Sequence, residues 1–269
     1  MKRPPRSPAQ PSRIDGSIFG VGVTLDADDP EILGLMADWL PPAWAPDTPG
    51  TEHVGFSIRT HSDGRHQLLR NGYAEEIGSL DNVIGNFELL LRNHVAGVAP
   101  DHVFVHAGTA SVNGRAIIVP GASFSGKTTM VHALVEAGAT YYSDEYAVFD
   151  REGWVHPYPK PLAIRDGGDG YRGKSYHEPA RIGASIGDEP ARLALVVSTQ
   201  YRPGTVWAPQ RLTAAEALIE LIPHTYRSDT RAVDTMATLA LAVDTSIGLR
   251  GDRGDAAELA PLLLAELRS

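Results

Sequence analysis

The chain has 269 residues, a formal net charge of −9 and a sequence pI near 5.5, which is long enough for one large domain or two smaller ones. The acidic balance argues against broad electrostatic binding of nucleic acid, so a polyanionic ligand would have to bind in a local pocket. The absence of cysteine excludes disulfides, thiolate metal sites and cysteine nucleophiles.

The first segment, residues 1–15, carries basic residues and prolines but no apolar run. It is predicted to be a disordered tail rather than a signal peptide or membrane anchor. No later segment reaches the roughly 18 consecutive apolar residues that a transmembrane helix needs. We therefore expect a cytoplasmic protein that binds neither membranes nor nucleic acid.

A small α+β lobe is predicted over residues 16–97. Its elements follow from local apolar periodicity and turn signals: a strand at 17–25, a helix at 29–40 behind an Asp cap, a hairpin around Asp63-Gly64 and an amphipathic helix at 79–99.

Residues 98–269 are predicted to form a larger mixed α/β unit, in which strands alternate with helices. The expected elements are a hairpin around Asn113-Gly114, a helix from Gly126 to Gly138, short strands on either side of Asp144-Glu145, a buried strand at 192–199, and helices near 213–222, 230–243 and 254–267. The glycine-rich stretch 165–190 lacks apolar periodicity and is predicted to be a loop.

Two stretches match the phosphate-loop pattern of Gly, four free residues, Gly-Lys and Ser or Thr: "GASFSGKT" at 121–128 and "GDGYRGKS" at 168–175. Such a loop needs a strand before it and a helix after it, because the helix supplies free N–H groups and a positive end. The first stretch follows the apolar run "AIIVP" and precedes a helical pattern. The second is followed by Pro179 and Gly183 where a helix is required, so it is predicted to be a surface loop.

The first stretch is therefore expected to bind the phosphates of ATP. Backbone N–H groups from Ala122 to Gly126 would wrap the β-phosphate, Lys127 would reach β and γ oxygens, the Thr128 hydroxyl would ligate Mg²⁺, and Thr129 would pack along the helix. The nucleotide-binding residues predicted in full are Gly121, Ala122, Ser123, Phe124, Ser125, Gly126, Lys127, Thr128 and Thr129.

Phosphoryl transfer also needs a carboxylate near the metal and a base for the acceptor hydroxyl. The buried strand at 192–199 is followed by no such carboxylate, because the chain there reads Ser198-Thr199-Gln200. The alternative is the pair Asp144-Glu145, which follows the loop lysine by one helix and one short strand. An adjacent Asp-Glu pair is commonly a solvated turn, but aromatic strands flank this one. We expect the return strand to run beside the loop strand and to bring both carboxylates to the loop.

The segment "HAGTASVNGRAIIVPGASFSGKTTMVHALVEAGATYYSDEYAVFD" resembles the catalytic domain of HPr kinase/phosphorylase. In that family a His precedes the phosphate loop by one hairpin, and an Asp-Asp pair follows the lysine; His106, Asp144 and Glu145 stand at these places. The likeness covers about 98–269, and "PLAIRD", "LALVVSTQYRPG" and "LTAAEALIELIPH" look like the divergent HPr kinase-related proteins. Some of those relatives phosphorylate lasso-peptide precursors at a C-terminal serine.

The resemblance implies a phosphate-loop core of the HPr kinase and PEP carboxykinase type, with ATP and Mg²⁺ as cofactors. It implies that Asp144 is the base that accepts the substrate hydroxyl proton, that His106 is a neighbour of the transferred phosphate, and that Glu145 is a metal-side acid with Thr128. With Lys127 of the loop, Asp144 and His106 are the predicted catalytic residues, and Asp144 is the third candidate metal ligand. Glu at 145 is one methylene longer than the family's Asp. The arginine-rich signature of authentic HPr kinases is absent, which argues against HPr as substrate and against reverse phosphorolysis.

Basic residues cluster in and beside the glycine-rich stretch: Lys160, Arg165, Arg172, Lys174 and Arg181. They are either a solvated loop face or a lid that folds over ATP or an acidic acceptor. Lys160, Arg165, Arg172 and Lys174 are accordingly the candidate substrate contacts.

Together these patterns lead us to expect a kinase that transfers the γ-phosphate to a hydroxyl, most simply a Ser or Thr of a small ribosomally made, lasso-type peptide. Two alternatives stay open: a kinase acting on the hydroxyl of a small molecule, and a non-catalytic partner protein that binds nucleotide without turning it over. Homo-oligomerisation is compatible with the sequence.

Overall fold

The computed structural model describes residues 12–122, 125–160, 162–165, 174–177, 184–226 and 231–268. Within these ranges the fold is mixed α/β, with two large sheets, one two-stranded sheet and six α-helices. The chain divides into two compact units, one ending at Asp101 and the other beginning at His102. Of the helices in these ranges, none is both long and apolar enough to span a bilayer.

The first unit is a six-stranded sheet with two helices. Its elements are β1 (Ser12–Ile18), β2 (Val21–Ala27), α1 (Pro30–Asp38), β3 (Trp44–Pro46), β4 (Glu52–Thr60), β5 (His66–Arg70), β6 (Tyr73–Gly78) and α2 (Leu80–Val98). The strand order is β3-β1-β2-β4-β5-β6, in which β2 and β4 are parallel and the other neighbours antiparallel.

Two predictions for this unit are wrong in detail, and one strand was missed. The tail prediction extends too far, because the chain is already in β1 from Ser12, while residues 1–11 lie outside the described ranges. The single strand expected at 17–25 is a hairpin, β1 and β2, which turns at Phe19 and Gly20 with φ of 49° and 79°. Strand β6 follows a turn at Asn71-Gly72 and was not predicted.

The helix cap predicted at Asp29 is confirmed: the Asp29 side chain accepts a hydrogen bond from Glu31 N–H.

The second unit is larger. It contains β7 (His102–Val112), β8 (Arg115–Pro120), α3 (Lys127–Glu136), β9 (Thr140–Ser143), β10 (Tyr146–Asp150), β11 (Trp154–His156), β12 (Leu162–Arg165), β13 (Lys174–His177), β14 (Ala191–Tyr201), β15 (Gln210–Leu212), α4 (Ala214–Leu221), α5 (Ala232–Val243), β16 (Ile247–Arg253) and α6 (Ala256–Arg268).

The main sheet of this unit has the order β11-β10-β7-β8-β14-β16-β15, with β9 also paired to β7. Strands β8, β14 and β16 are parallel to one another, so their carboxyl ends meet at the same edge of the sheet. The segment 121–126 leaves β8 at this edge. Strand β16, which was not predicted, brings its last residues to the same edge.

Helices cover both faces of the sheet, and β8 shows how one strand serves both. Ile117 packs in a cluster with residues of α3 and α6, whereas Ile118 packs in a second cluster with residues of α4 and α5. Successive side chains of a strand point to opposite faces, so a strand covered on both sides reads as a continuous apolar run. This accounts for the "AIIV" that precedes the phosphate-loop pattern.

The stretch 165–190 is not entirely a loop. Its described part contains β13, which pairs antiparallel with β12 over four residue pairs from Leu162–His177 to Arg165–Lys174. Lys174 and Ser175 of the second phosphate-loop pattern therefore lie in a strand, where a phosphate loop requires the first turn of a helix.

Candidate functional site

The first phosphate-loop pattern has the strand and the helix that it needs. Strand β8 ends at Pro120 and α3 begins at Lys127. Gly126 has a left-handed backbone with φ +87°, which favours glycine. A Cβ on Gly121 would meet the Ser125 hydroxyl, so a larger residue there would have to displace that side chain. Ser123 and Phe124 lie outside the described residues.

Lys127 turns back over the loop. Its side chain is only 6% exposed, and Nζ donates hydrogen bonds to the carbonyl oxygens of Gly121, at 3.0 Å, and Ala122, at 2.8 Å. Burial lowers the pKa of this ammonium, while the charges of Glu145 and Asp144 act in the opposite direction. The arrangement holds a positive charge beside the first turn of α3, whose N–H groups have no partner within the helix.

Asp144 reaches the same helix from the turn between β9 and β10 and is 4% exposed. Its Oδ2 accepts a hydrogen bond of 3.0 Å from the Thr128 hydroxyl. The Tyr141 hydroxyl lies 3.3 Å from Oδ1 and 3.0 Å from the Lys160 carbonyl oxygen, so its single proton serves one of them at a time. Burial raises the pKa of Asp144, and Glu145 adds to the rise, whereas Lys160 and the two hydroxyl contacts oppose it.

Glu145 is held by two basic side chains. Its Oε1 lies 3.5 Å from His106 Nε2, and its Oε2 lies 3.3 Å from Lys160 Nζ. The backbone prepares this contact, because the Glu145 carbonyl accepts a hydrogen bond from Ala107 N–H at 3.1 Å. The Ser143 hydroxyl accepts from the N–H groups of Glu145 and Tyr146, which tightens the turn that carries the acid pair.

The acid pair reaches the loop by a different pairing from the predicted one. Strands β9 and β10 both pair with β7 rather than with the loop strand β8. In this register Tyr146 is opposite His106, whose carbonyl accepts a hydrogen bond of 3.3 Å from Gly121 N–H. His106 thus joins the acid turn to the start of the loop, and β7 is the strand that brings the two together.

The structure brings together His106, Lys127, Thr128, Asp144, Glu145 and Lys160. Thr129 was expected to pack along the helix, but its side chain is exposed. Arg165 and Lys174 are cross-strand neighbours in β12 and β13, and Arg172 and Arg181 lie outside the described residues.

Two charged groups at this edge of the sheet were not predicted from the sequence. The acid that is missing at the end of β14 is supplied by α4: Glu220 accepts a hydrogen bond from Ser198 and forms an ion pair with Arg250 of β16. The second group is Arg253, the last residue of β16, which lies against Gly126. The helix predicted near 213–222 is α4, but nothing local to either residue predicts these contacts.

The oxygen ligands available at this site suit a hard cation. The Thr128 hydroxyl and the Asp144 carboxylate are adjacent, and Mg²⁺ is commonly bound by one or two protein oxygens together with phosphate oxygens and water. Across the described ranges no group of three or more His, Asp or Glu side chains could hold a metal ion by itself.

Comparisons with known proteins do not assign a function to the chain. No protein-family model matches the chain, and no curated protein matches it significantly.

Proposed function

We propose that the protein is an ATP-dependent kinase with an HPr kinase-like phosphate-loop core, which transfers the γ-phosphate to a hydroxyl group. The observation that carries the proposal is the 3.0 Å contact between the Thr128 hydroxyl and the buried Asp144 carboxylate at the amino end of α3. This contact joins a loop of the phosphate-binding pattern to a carboxylate, and phosphoryl transfer requires both.

The phosphates are held by the loop and the first turn of α3. The N–H groups of this turn and the ammonium of Lys127 face the developing negative charge, which they stabilise electrostatically. Thr128 and Glu145 would supply protein oxygens for Mg²⁺, which would neutralise phosphate charge.

Asp144 is the general base. The acceptor oxygen bonds to the γ-phosphorus as the bond from that phosphorus to the β,γ-bridging oxygen breaks, ADP departs, and the hydroxyl proton passes to the Asp144 carboxylate. A base is most effective when its pKa lies near the working pH, and burial moves the pKa of Asp144 upward in that direction. The Thr128 and Tyr141 hydroxyls hold the carboxylate in place.

Glu145 acts as the metal-side acid, and its contacts fix its position. His106 and Lys160 each approach one oxygen of its carboxylate, from different parts of the chain, so both oxygens of the longer Glu side chain are held in place. His106 lies beside the transferred phosphate. For the acceptor we propose a Ser or Thr of a small ribosomally made peptide; this choice rests on the resemblance to HPr kinase-related proteins.

Two variants test the assignment. With Mg-ATP and a serine-containing peptide encoded beside the protein, mass spectrometry should detect a phosphopeptide for the wild type and none for Asp144→Asn, whose ATP affinity should be retained. Lys127→Ala should weaken ATP binding instead. The matched control is Asp244→Asn, an exposed carboxylate of the same unit, which should change neither result.

The outcomes separate the possible functions. Transfer that survives Asp144→Asn would refute the role of the base, and unchanged affinity in Lys127→Ala would refute the role of the loop. ATP binding without a product from any peptide or small-molecule alcohol would identify a non-catalytic nucleotide-binding protein. A phosphorylated small molecule in place of a peptide would change the acceptor but not the chemistry.

A further inference from the structure

Arg253 stands where the three parallel strands of the second unit end. In the pairing of β8 with β14, Ile118 is opposite Val196, and in the pairing of β14 with β16, Tyr201 is opposite Arg253. Strand β8 ends at Pro120, two residues after Ile118, whereas β14 and β16 stay paired as far as Tyr201 and Arg253. Strand β16 therefore continues past the level at which β8 gives way to the loop. Its last side chain can therefore lie over the loop.

The guanidinium of Arg253 lies directly against Gly126. A Cβ built on Gly126 would be 2.7 Å from the terminal nitrogen Nη2 and 3.9 Å from Cζ. Gly126 is the residue before Lys127 and the cap of α3. The glycine thus has two functions, since it adopts the left-handed conformation and also leaves room for the arginine.

Arg253 is almost completely buried, at 3% exposure, yet its charge is poorly compensated within the described part of the chain. Nη1 donates to the carbonyl oxygen of Gly254 at 3.1 Å, and Cζ lies 5.4 Å from the centroid of the Tyr201 ring. The Nε atom is buried and has no hydrogen-bond partner among the residues described.

The acids of this edge are already engaged with other arginines. Asp252 pairs with Arg202, and Glu220 pairs with Arg250. Asp255 gives Arg253 some electrostatic support, but burial outweighs it and lowers the pKa of the guanidinium. Among the described residues, no carboxylate forms an ion pair with Arg253.

A buried cation without an anionic partner is unfavourable, because desolvation is not offset by attraction. An anionic ligand that binds next to such a cation supplies the missing partner. An arginine side chain presents a planar set of N–H donors that matches two oxygens of a phosphate. The position beside Gly126 places these donors next to the N–H groups of the first turn of α3, where anions bind most readily.

We propose that Arg253 is a phosphate-binding residue, which contacts the oxygens of a phosphate group at the amino end of α3. The inference deepens the proposed function and, where the ligand is ATP, rests on it. Lys127 is contributed by the helix and Arg253 by the end of the last strand, so the phosphate joins two elements that are far apart in the chain.

The test uses the full chain and compares Arg253→Gln and Arg253→Lys with the wild type. Affinities for ATP and for inorganic triphosphate are measured by calorimetry, and thermal unfolding is followed without ligand. The control is Arg211→Gln, an exposed arginine on the neighbouring strand β15 that pairs with Glu266. It removes the same charge from the same unit.

Arg253→Gln should weaken binding of both ligands by about ten- to a hundredfold, the range expected for a charge-assisted contact. Arg253→Lys should restore part of the loss, and Arg211→Gln should have no effect. The melting temperature without ligand should be unchanged or higher in Arg253→Gln, because an uncompensated buried charge is removed. A structural role alone predicts the opposite: a lower melting temperature with unchanged affinity.

The binding results separate the role of Arg253 from the proposed function. If the wild type binds both ligands and Arg253→Gln binds them equally well, the inference falls and the proposed function stands. If the wild type binds triphosphate in an Arg253-dependent way but not ATP, the inference stands and the nucleotide assignment falls. If the wild type binds neither, both fall.

Discussion

Asp144→Asn should stabilise the protein at neutral pH when no nucleotide or Mg²⁺ is present. The carboxylate is 4% exposed, and burial raises its pKa above the ordinary value of 3.8. The folded state therefore binds more protons than the unfolded state between 3.8 and the raised pKa, so stability falls as the pH rises through this interval and the cost is complete above it. Asparagine has a similar shape but no charge to bury.

The magnitude follows from linkage. A difference of one pKa unit between the folded and unfolded states corresponds to about 1.4 kcal/mol, and 1 kcal/mol changes the melting temperature of a unit of this size by about 2–4 °C. The Asn amide can still accept from one of the two hydroxyls that contact Asp144, those of Thr128 and Tyr141, and donate to the other. We expect a higher melting temperature for the second unit, with a gain that scales with the pKa difference in this proportion.

Calorimetric unfolding between pH 4 and pH 8 measures this gain. The advantage of Asp144→Asn should be largest at the alkaline end and should shrink toward pH 4, where the wild-type carboxyl becomes protonated. The control is Asp244→Asn, which removes an exposed carboxylate and therefore relieves no burial. A variant that is less stable than the wild type at neutral pH, or a difference that does not change with pH, would refute the reasoning from burial.

Two further experiments test the surroundings of the site. Gly126 and Gly114 both have a positive φ, of +87° and +72°. In Gly126→Ala the new Cβ would meet Arg253, whereas in Gly114→Ala it would have no atom within 4 Å. Urea denaturation should show that Gly126→Ala loses about 1 kcal/mol more than Gly114→Ala, and equal losses would contradict the close approach of Arg253. Lys160→Met removes the ammonium that holds down the pKa of Asp144, so the acidic limb of the pH–rate profile for phosphate transfer should move to higher pH; a limb that stays in place or moves to lower pH would count against the assignment of the base.

Local sequence patterns predicted the elements that depend on near neighbours. The Asn113-Gly114 turn, the Asp29 cap, and the strand and helix around the loop are set by dihedral preferences and hydrogen bonds within a few residues, and the structure contains all of them. The same local view missed the turn at Phe19-Gly20 because Phe19 carries no turn signal, although it adopts φ +49°.

For the site, the spacing of the acid pair after Lys127 gave the correct neighbourhood but not the path by which the chain reaches it. One helix and one short strand return the chain to the loop, and the contact between Thr128 and Asp144 follows. The choice of β7 rather than β8 as the pairing partner could not be read from the chain, because apolar strands of similar composition compete for the same neighbour and only the packing of both sheet faces selects one order.

The sequence by itself determined a phosphate-loop pattern in the right local setting, with Lys127 at the start of a helix. The tertiary structure alone decided which distant charges meet that loop. Arg253 lies against Gly126, across more than a hundred residues of chain, because β16 inserts beside β14 and parallel to it. Contacts of this kind depend on strand order and register, which are properties of the whole sheet and leave no mark in the residues beside either partner.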